Sequence, residues 1–245
     1  MSKEWFEEWF DTDYYQLLYH QRNQEEASAF ARFIAKQLGL KPGSRILDVG
    51  CGRGRHAVAF HDLGFQVTAI DLSDHKISLS QHLQTHSLEF LQHDMRRAFR
   101  INYFDLVVSL FTSFGYFHTP HDERSAARSM AANVCWNGFL LVDFLNPVKL
   151  VDHLIQKEIV LRNDIQFHVT RSLKDQHIQK LIKVIDKDFT QTFVEKVKLY
   201  HFEELVDLFK PFHMSLVASF GNYHLESYQP IHSERMILLF KKIIP

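Results

Sequence analysis

"RILDVGCGRGRHAVAF", residues 45–60, runs from an apolar pulse into glycines at 50, 52 and 54 and out again into an amphipathic segment. An aliphatic pulse, a glycine cluster and a run of helix formers read as strand, tight turn and helix. Glycine serves two ends there: it accepts left-handed backbone, and it lets a ligand approach the main chain closely. In an open α/β sheet such a turn lies at the carboxyl edge of the first parallel strand, where these sheets bind ligands. A purely structural tight turn is the alternative for the motif taken alone.

Outward from this stretch, strand-like and helix-like segments alternate. The strands are "QVTAIDL" (66–72), "LEFLQ" (88–92), "FDLVVSLF" (104–111) and "GFLLVDFL" (138–145). Between them lie a helix from about Arg55 to Leu63 closed by Gly64, one capped by Ser73, and one around Asp122 to Trp136. Upstream, Asn23 with Glu26 forms a capping-box pattern ahead of the apolar face Ala27, Phe30, Ile34 and Leu38, and Gly39 stops that helix. Continuously apolar strands are those of a parallel sheet covered on both faces. From Glu158 to Tyr200 the pattern changes to strand after strand of partly alternating polarity, a small antiparallel sheet inserted in the main domain. A helix ("HFEELVDLFK") and two strands ("HMSLVASF", "RMILLFKK") then resume the first pattern. The expected architecture is α/β: a doubly wound, seven-stranded, mostly parallel Rossmann-like sheet with an inserted antiparallel subdomain. It divides into 1–157 (N-terminal helices and core), 158–200 (inserted sheet) and 201–245 (last helix and strands).

Composition narrows the class. With 46% hydrophobic residues among 245, the chain can bury a full core. Lys plus Arg (28) balance Asp plus Glu (29), so no basic field favours nucleic acid or an anionic membrane. Two cysteines, Cys51 and Cys135, and no CxxC suit a cytoplasmic protein. The acidic N-terminus is not a secretory signal, and the apolar runs are strand-sized, so no membrane span is expected. His82 with His86 and His118 with His121 offer pairs without a nearby third ligand, so no metal site is expected.

Three features choose the ligand of the glycine turn. Asp48, two residues before Gly50, would repel a pyrophosphate and attract an ammonium. Bulky Arg55 stands where a dinucleotide fingerprint wants Gly or Ala, and the Lys-Ser/Thr of a phosphate loop is absent. Asp71, 19 residues past Gly52 at the end of the second strand, suits ribose hydroxyls. Asp94, past the third strand, could accept from an exocyclic amine such as adenine N6. Ammonium, ribose and adenine joined without phosphate describe S-adenosylmethionine.

Through "ILDVGCGRGRH", "VTAIDLS", "LQHDM", "FDLVVSLFTSFGYF" and "NGFLLVDFLNP" the sequence resembles the class I S-adenosylmethionine-dependent methyltransferases over nearly its whole length. Its tyrosine-rich N-terminal segment "DYYQLLYHQR" and inserted sheet make it most similar to small-molecule enzymes of the glycine N-methyltransferase type. The resemblance implies that Gly50, Cys51 and Gly52 hold the methionyl part and that Asp71, with Leu72 and Ser73, holds the ribose. It also implies adenine contacts from Asp94 and Met95, with Leu110 beside the cofactor, and Tyr15, Tyr19 and Arg22 folding over it, Arg22 meeting its carboxylate. Packing is the alternative for the tyrosines, and solvated surface for Arg22.

A sulfonium methyl is already activated, so the protein's task is in-line alignment and exclusion of water. A nearby His, Tyr or carboxylate could take the proton of an amine acceptor. Candidates are Ser113, Tyr116 and His118 after the fourth strand, and Asn146 in "DFLNP", which corresponds to an acceptor-binding asparagine of the resembled type; a loop role ahead of Pro147 is its alternative. In the inserted sheet Arg171 could meet a substrate carboxylate, and Glu195 falls on an apolar face and asks for a partner. Asn222, Tyr223 and His224 are candidate pocket wall or plain hairpin loop. The leading expectation is methyl transfer to a small-molecule acceptor (amine, amino acid or carboxylate-bearing metabolite) by a monomer or homodimer, the inserted sheet shaping the pocket or a dimer contact. The alternatives are a tRNA or other macromolecule methyltransferase and a non-catalytic S-adenosylmethionine-binding protein.

Overall fold

The computed structural model describes residues 5–19 and 24–244, with side chains from residue 8 onward. Arg22 and Asn23 therefore lie outside the described residues. Two short helices, α1 (Trp5–Phe10) and α2 (Asp13–Leu18), precede α3 (Gln24–Leu38). The core alternates β1 (Arg45–Val49), α4 (Arg55–His61), β2 (Gln66–Asp71), α5 (Asp74–Ser80), β3 (Leu88–Gln92), β4 (Phe104–Ser109), α6 (Pro120–Asn133), β5 (Val134–Leu145) and α7 (Pro147–Asp152). Next come β6 (Lys157–Arg162), β7 (Ile165–Lys174), β8 (His177–Asp186) and β9 (Phe189–Lys198). The chain closes with α8 (Phe202–Phe209), β10 (Met214–Phe220) and β11 (Arg235–Lys242).

The main sheet has seven strands in the order β10-β11-β5-β4-β1-β2-β3. Neighbouring strands from β5 to β3 pair in parallel, while β11 pairs antiparallel with both β5 and β10. The order reverses direction at β1 and β4, and that switch point is where a crevice opens at the carboxyl edge. Apolar side chains fill both faces of the sheet: Leu47, Val107 and Leu140 pack towards α6 and α8, while Ile46, Leu106 and Leu141 pack towards α3 and α4. That two-sided burial is why these strands read as unbroken apolar runs.

One boundary differs from expectation. The helix expected to reach Trp136 stops at Asn133, and Cys135 and Trp136 already belong to β5. The Asn133 side chain turns away from its own helix to accept the backbone N–H groups of Phe99 (2.9 Å) and Arg100 (3.1 Å), so this polar residue ends the helix by bonding elsewhere.

The second sheet, β6-β7-β8-β9, is fully antiparallel. Val169, Ile182 and Phe193 lie side by side across β7, β8 and β9, and with Phe167 and Val184 they bury Trp9. The Trp9 and Phe193 rings sit 4.7 Å apart. The inserted sheet thus gives α1 and α2 an apolar platform. Short helices of six residues have little stability of their own and need such packing.

Candidate cofactor crevice and its roof

At the end of β1 the chain turns through Gly50 (φ 72°), Gly52 (φ 58°) and Gly54 (φ 80°), all left-handed. A Cβ on Gly50 would come within 2.6 Å of the Ser113 Cβ, and one on Gly54 within 2.3 Å of the Phe90 ring, so packing as well as backbone conformation demands glycine at both. Gly52 differs: nothing lies within 4 Å of its Cβ position, so its main chain faces open space. That space is a crevice of about 400 Å³, within the range of small-ligand sites.

Asp71 closes β2 and is held in place from two sides. Its Oδ2 accepts the Gly52 N–H at 2.8 Å and its Oδ1 accepts the Ser73 N–H at 3.0 Å. The Gly50 and Cys51 N–H groups both bond Ile70 O, at 2.8 and 3.0 Å, which ties the glycine turn to β2. A carboxylate has about four acceptor positions, so Asp71 keeps capacity for ligand hydroxyls after these two bonds. Ser73 Oγ accepts the Lys76 N–H at 3.0 Å, capping α5.

Asp48 lies beneath the turn, 2% exposed. Its Oδ2 has no hydrogen-bond partner among the described residues, although Asp48 lines the crevice. Burial, with repulsion from Asp71, pushes its carboxyl up to about 7, while Arg55 and the Ala57 N–H work the other way. A buried carboxylate oxygen without a partner costs free energy unless a donor arrives, and a ligand ammonium is such a donor. Cys51 is a neutral thiol: burial first, then the charges of Asp71 and Asp48, raise its pKa well above the ordinary value. It packs at the turn, where burial and the two carboxylates disfavour its thiolate.

Asp94 lines the crevice as expected but is already bound. Its oxygens accept the Arg96 backbone N–H (2.9 Å), Nε (2.9 and 3.0 Å) and Nη2 (2.7 Å). Burial opposes its ionisation, but the Arg96 hydrogen bonds outweigh that and hold its carboxyl below the usual carboxylate range. Arg96 thus takes three of its about four acceptor positions and leaves one for an adenine amine, while Met95, Leu72 and Leu110 supply the apolar lining beside it. The capturing arginine was visible two residues along the chain.

The far wall comes from the segment after β4. Phe111, Thr112, Ser113, Tyr116, Phe117 and His118 line the crevice, while Phe114 turns into the core. Phe111 and Thr112 are both left-handed (φ 60° and 59°), a strained backbone for a bulky and a β-branched residue. Fully buried Asp143 on β5 holds them: it accepts the Phe111 N–H (2.7 Å), the Tyr223 hydroxyl (2.7 Å) and Arg235 Nε (2.8 Å). Arg235 Nη2 also reaches Thr112 Oγ1 at 2.9 Å. Tyr223 thus braces this wall from behind; Asn222, Tyr223 and His224 are not lining residues.

The roof is aromatic. Phe10, Tyr15 and Tyr19 line the crevice from α1 and α2, and the Phe10 ring meets Tyr116 edge-on at 5.2 Å. Tyr19 has a second duty. Its hydroxyl donates to Glu195 Oε1 (2.8 Å), which also accepts Trp9 Nε1 (2.7 Å), while Lys180 Nζ lies 3.0 Å from Glu195 Oε2. Burial disfavours the Glu195 charge, but Lys180, Trp9 and Tyr19 overcome it and keep the carboxyl below its ordinary range. Glu195 finds its partner inside the protein.

Two expectations change. Asn146 is not brought to the crevice: its Nδ2 donates to Pro230 O (2.8 Å) and Ser233 O (2.7 Å), and its Oδ1 accepts the Val148 N–H (3.2 Å) and Tyr228 OH (3.1 Å). Buried and fully engaged, it caps α7 and pins the loop before β11. Nor does the inserted sheet shape the pocket directly, since no described residue of β6–β9 lines it. Arg171 pairs with Glu158 at 2.7 Å. Lys76 and Phe10 are lining residues that the sequence reading missed; for Lys76 the available signal was its place one turn inside the Ser73-capped helix.

A mostly parallel sheet with this strand order, a glycine turn at its switch point and an aspartate ending β2 define the class I S-adenosylmethionine-dependent methyltransferase fold. Comparison with known proteins agrees. Residues 46–138 match the family described as "Methyltransferase domain". A Geobacillus sp. (strain WCH70) protein named as a methyltransferase is 30% identical over 167 residues, 67% of this chain and 65% of its own length. The dTDP-3-amino-3,4,6-trideoxy-alpha-D-glucopyranose N,N-dimethyltransferase of Streptomyces venezuelae is 31% identical over 162 residues, 62% of this chain and 64% of its own. The matches thus span just under two thirds of each relative. A solved S-adenosylmethionine-dependent methyltransferase from Clostridium acetobutylicum has the same fold, with a TM-score of 0.79 over 94% of this chain and 96% of that one at 18% identity.

Proposed function

We propose that the chain transfers a methyl group from S-adenosylmethionine to a small-molecule acceptor. The observation that carries this reading is the pairing of Asp71, pinned by the glycine turn with acceptor positions to spare, and buried Asp48, whose Oδ2 has no partner among the described residues. Together they suit a ligand with hydroxyls at one end and an ammonium at the other. The bound cofactor would supply an activated methyl on a sulfonium centre. The protein's own part is placement: Asp71 fixes the ribose, Asp48 and the Gly50–Gly52 main chain hold the amino-acid tail, and Phe10, Tyr15 and Tyr116 restrict water.

The acceptor side falls to the wall of Phe111, Tyr116, Phe117 and His118. For an amine acceptor, the His118 imidazole would take the proton lost on methylation, and the Tyr116 hydroxyl would orient the amine by a hydrogen bond. The Streptomyces venezuelae relative, by its name an N,N-dimethyltransferase of an amino sugar, makes amino-sugar amines the first acceptors to try. Calorimetry with S-adenosylmethionine and S-adenosylhomocysteine, followed by detection of S-adenosylhomocysteine release from pools of amines, tests the proposal. Asp71→Ala should weaken cofactor binding by about thirtyfold or more, the equivalent of losing charge-assisted hydrogen bonds. A folded protein giving heat with neither cofactor form contradicts the reading; binding without turnover on any acceptor leaves only its cofactor half standing.

A further inference from the structure

Lys76 is 8% exposed and lines the crevice, yet among the described residues its ammonium has no hydrogen-bond acceptor and no carboxylate within ion-pair distance. Its neighbours are two π faces, the Phe10 ring with its centroid 5.1 Å from Nζ and the Tyr15 ring at 5.5 Å. Other lysines in confined places are supplied with oxygen. Lys242, the other buried lysine among the described residues, donates to Asn102 Oδ1 (2.9 Å), Ala131 O (2.8 Å) and Val134 O (2.8 Å). Half-covered Lys180 has Glu195 at 3.0 Å and Lys198 has Glu123 at 2.9 Å. Cation–π contacts attract an ammonium but give its three N–H groups no lone pairs, so they recover only part of the cost of leaving water. Among the described residues nothing takes those donors, and the crevice that Lys76 lines is open to a ligand that would.

We propose that Lys76 is an acid-group anchor, donating from the roof side of the crevice to a carboxylate or phosphate oxygen of a bound ligand. An anionic oxygen forms the short, charge-assisted bond that a confined ammonium needs and cancels its charge as well, which a neutral hydroxyl does not. The site is built: Ser73 caps the helix that carries Lys76, and two aromatic rings from α1 and α2 confine its side chain. Two sources of such a group would enter this crevice. One is the carboxylate of the cofactor's amino-acid tail, consistent with the influence of the Lys76 charge on the thiol of Cys51 in the glycine turn. The other is an acidic group on the methyl acceptor. The first source rests on the cofactor reading given above; the second does not.

The test compares wild type, Lys76→Met and Lys76→Arg by calorimetry, each checked for folding by circular dichroism. The ligands are S-adenosylhomocysteine and methylthioadenosine, which carries the same nucleoside without the amino-acid tail. Acetate and inorganic phosphate are then titrated into both the free and the S-adenosylhomocysteine-loaded proteins. If the anchor takes the cofactor carboxylate, Lys76→Met weakens S-adenosylhomocysteine about tenfold or more and leaves methylthioadenosine unchanged. If it takes an acid group of the acceptor, both nucleosides bind Lys76→Met as they bind wild type, and an oxyanion that binds the wild type fails to bind Lys76→Met. Lys76→Arg, which keeps the charge and adds donors, should retain binding in either case. The proposal is overturned if Lys76→Met loses both nucleosides equally, which marks a structural role, or if it changes no titration. Should Lys76→Met fail to fold, Lys76→Gln replaces it on the same criteria. Wild type that binds neither nucleoside but binds oxyanion only through Lys76 would sink the cofactor reading and leave the anchor standing; wild type that binds none of the four probes overturns the anchor too.

Discussion

The floor and the roof of the crevice are built by different means. The floor is main chain and strand ends: Gly50, Gly52, Asp71 and the Ile70 carbonyl are fixed by bonds between residues near one another in sequence or on adjacent strands. The roof is side chain: α1 and α2 stay over the crevice because Trp9 and Tyr19 reach Glu195 on the inserted sheet, 186 and 176 residues away. A floor of this kind can persist while acceptors change, whereas a roof held by the apolar platform and by the buried Glu195 carboxylate can be re-aimed by altering the sheet beneath it. The inserted sheet acts on the site through the helices it carries.

The largest expected effect separates the two regions. Glu195→Ala leaves Lys180 without its carboxylate and strips Trp9 and Tyr19 of their acceptor, and breaking a largely buried pair in this way costs about 3–5 kcal/mol. Chemical denaturation should show that loss. If the roof unfolds alone, the transition splits in two and circular dichroism retains the parallel core; one cooperative transition means that roof and floor form a single folding unit. The pH dependence has a definite sign. Because the Glu195 pKa is lowered on folding, its contribution is present above the unfolded carboxyl value and is lost as pH falls through the folded one. Glu195→Gln should therefore be destabilising at neutral pH and approach wild type in acid. A constant difference between the two at every pH would show that the charge of Glu195 is not what holds the roof.

How much could be read from the sequence follows the same division. The glycine turn, Asp71 at the end of β2 and the alternation of strands and helices were legible because their determinants are local: spacing, apolar runs and turn residues. Asp94 was placed at the crevice from its position after β3, but its ion pair with Arg96, two positions away, went unread: a carboxylate beside an arginine is as ready to be paired as to bind a ligand. Glu195 could be recognised as a charge in need of a partner, but nothing in a linear reading points from residue 195 to Trp9. Asn146 lies away from the crevice for reasons equally remote in sequence. Its side-chain N–H groups are spent on carbonyls 84 and 87 residues downstream, which no local pattern encodes.

Asn146 gives the next prediction. Asn146→Ala removes a helix cap and the donors for Pro230 O and Ser233 O, at a cost of about 2 kcal/mol in stability. The affinity for S-adenosylhomocysteine should not change, because the residue is absent from the crevice lining. An unchanged stability with a raised KM for the acceptor would reverse that assignment and return Asn146 to the site.

The smallest effect probes the floor itself, and it turns on whether Asp48 meets the cofactor as a carboxylate or a carboxylic acid. Its carboxyl is raised to about 7, so near neutrality it is divided between the two forms. A ligand ammonium binds the ionised form and, once in place beside the Oδ2 that has no partner among the described residues, favours that ionisation further. Affinity for S-adenosylhomocysteine should accordingly rise by about tenfold between pH 6 and pH 8, with a proton released on binding at the lower pH. Asp48→Asn removes the titration: its affinity should be lower and flat over that interval, and its binding heat should no longer depend on the buffer's ionisation enthalpy. Asp71→Asn should keep a pH dependence, displaced towards acid because one of the charges that raises Asp48 has gone. A wild-type affinity already flat from pH 6 to pH 8 would mean that the cationic end of the ligand lies elsewhere, and that the floor recognises the nucleoside alone.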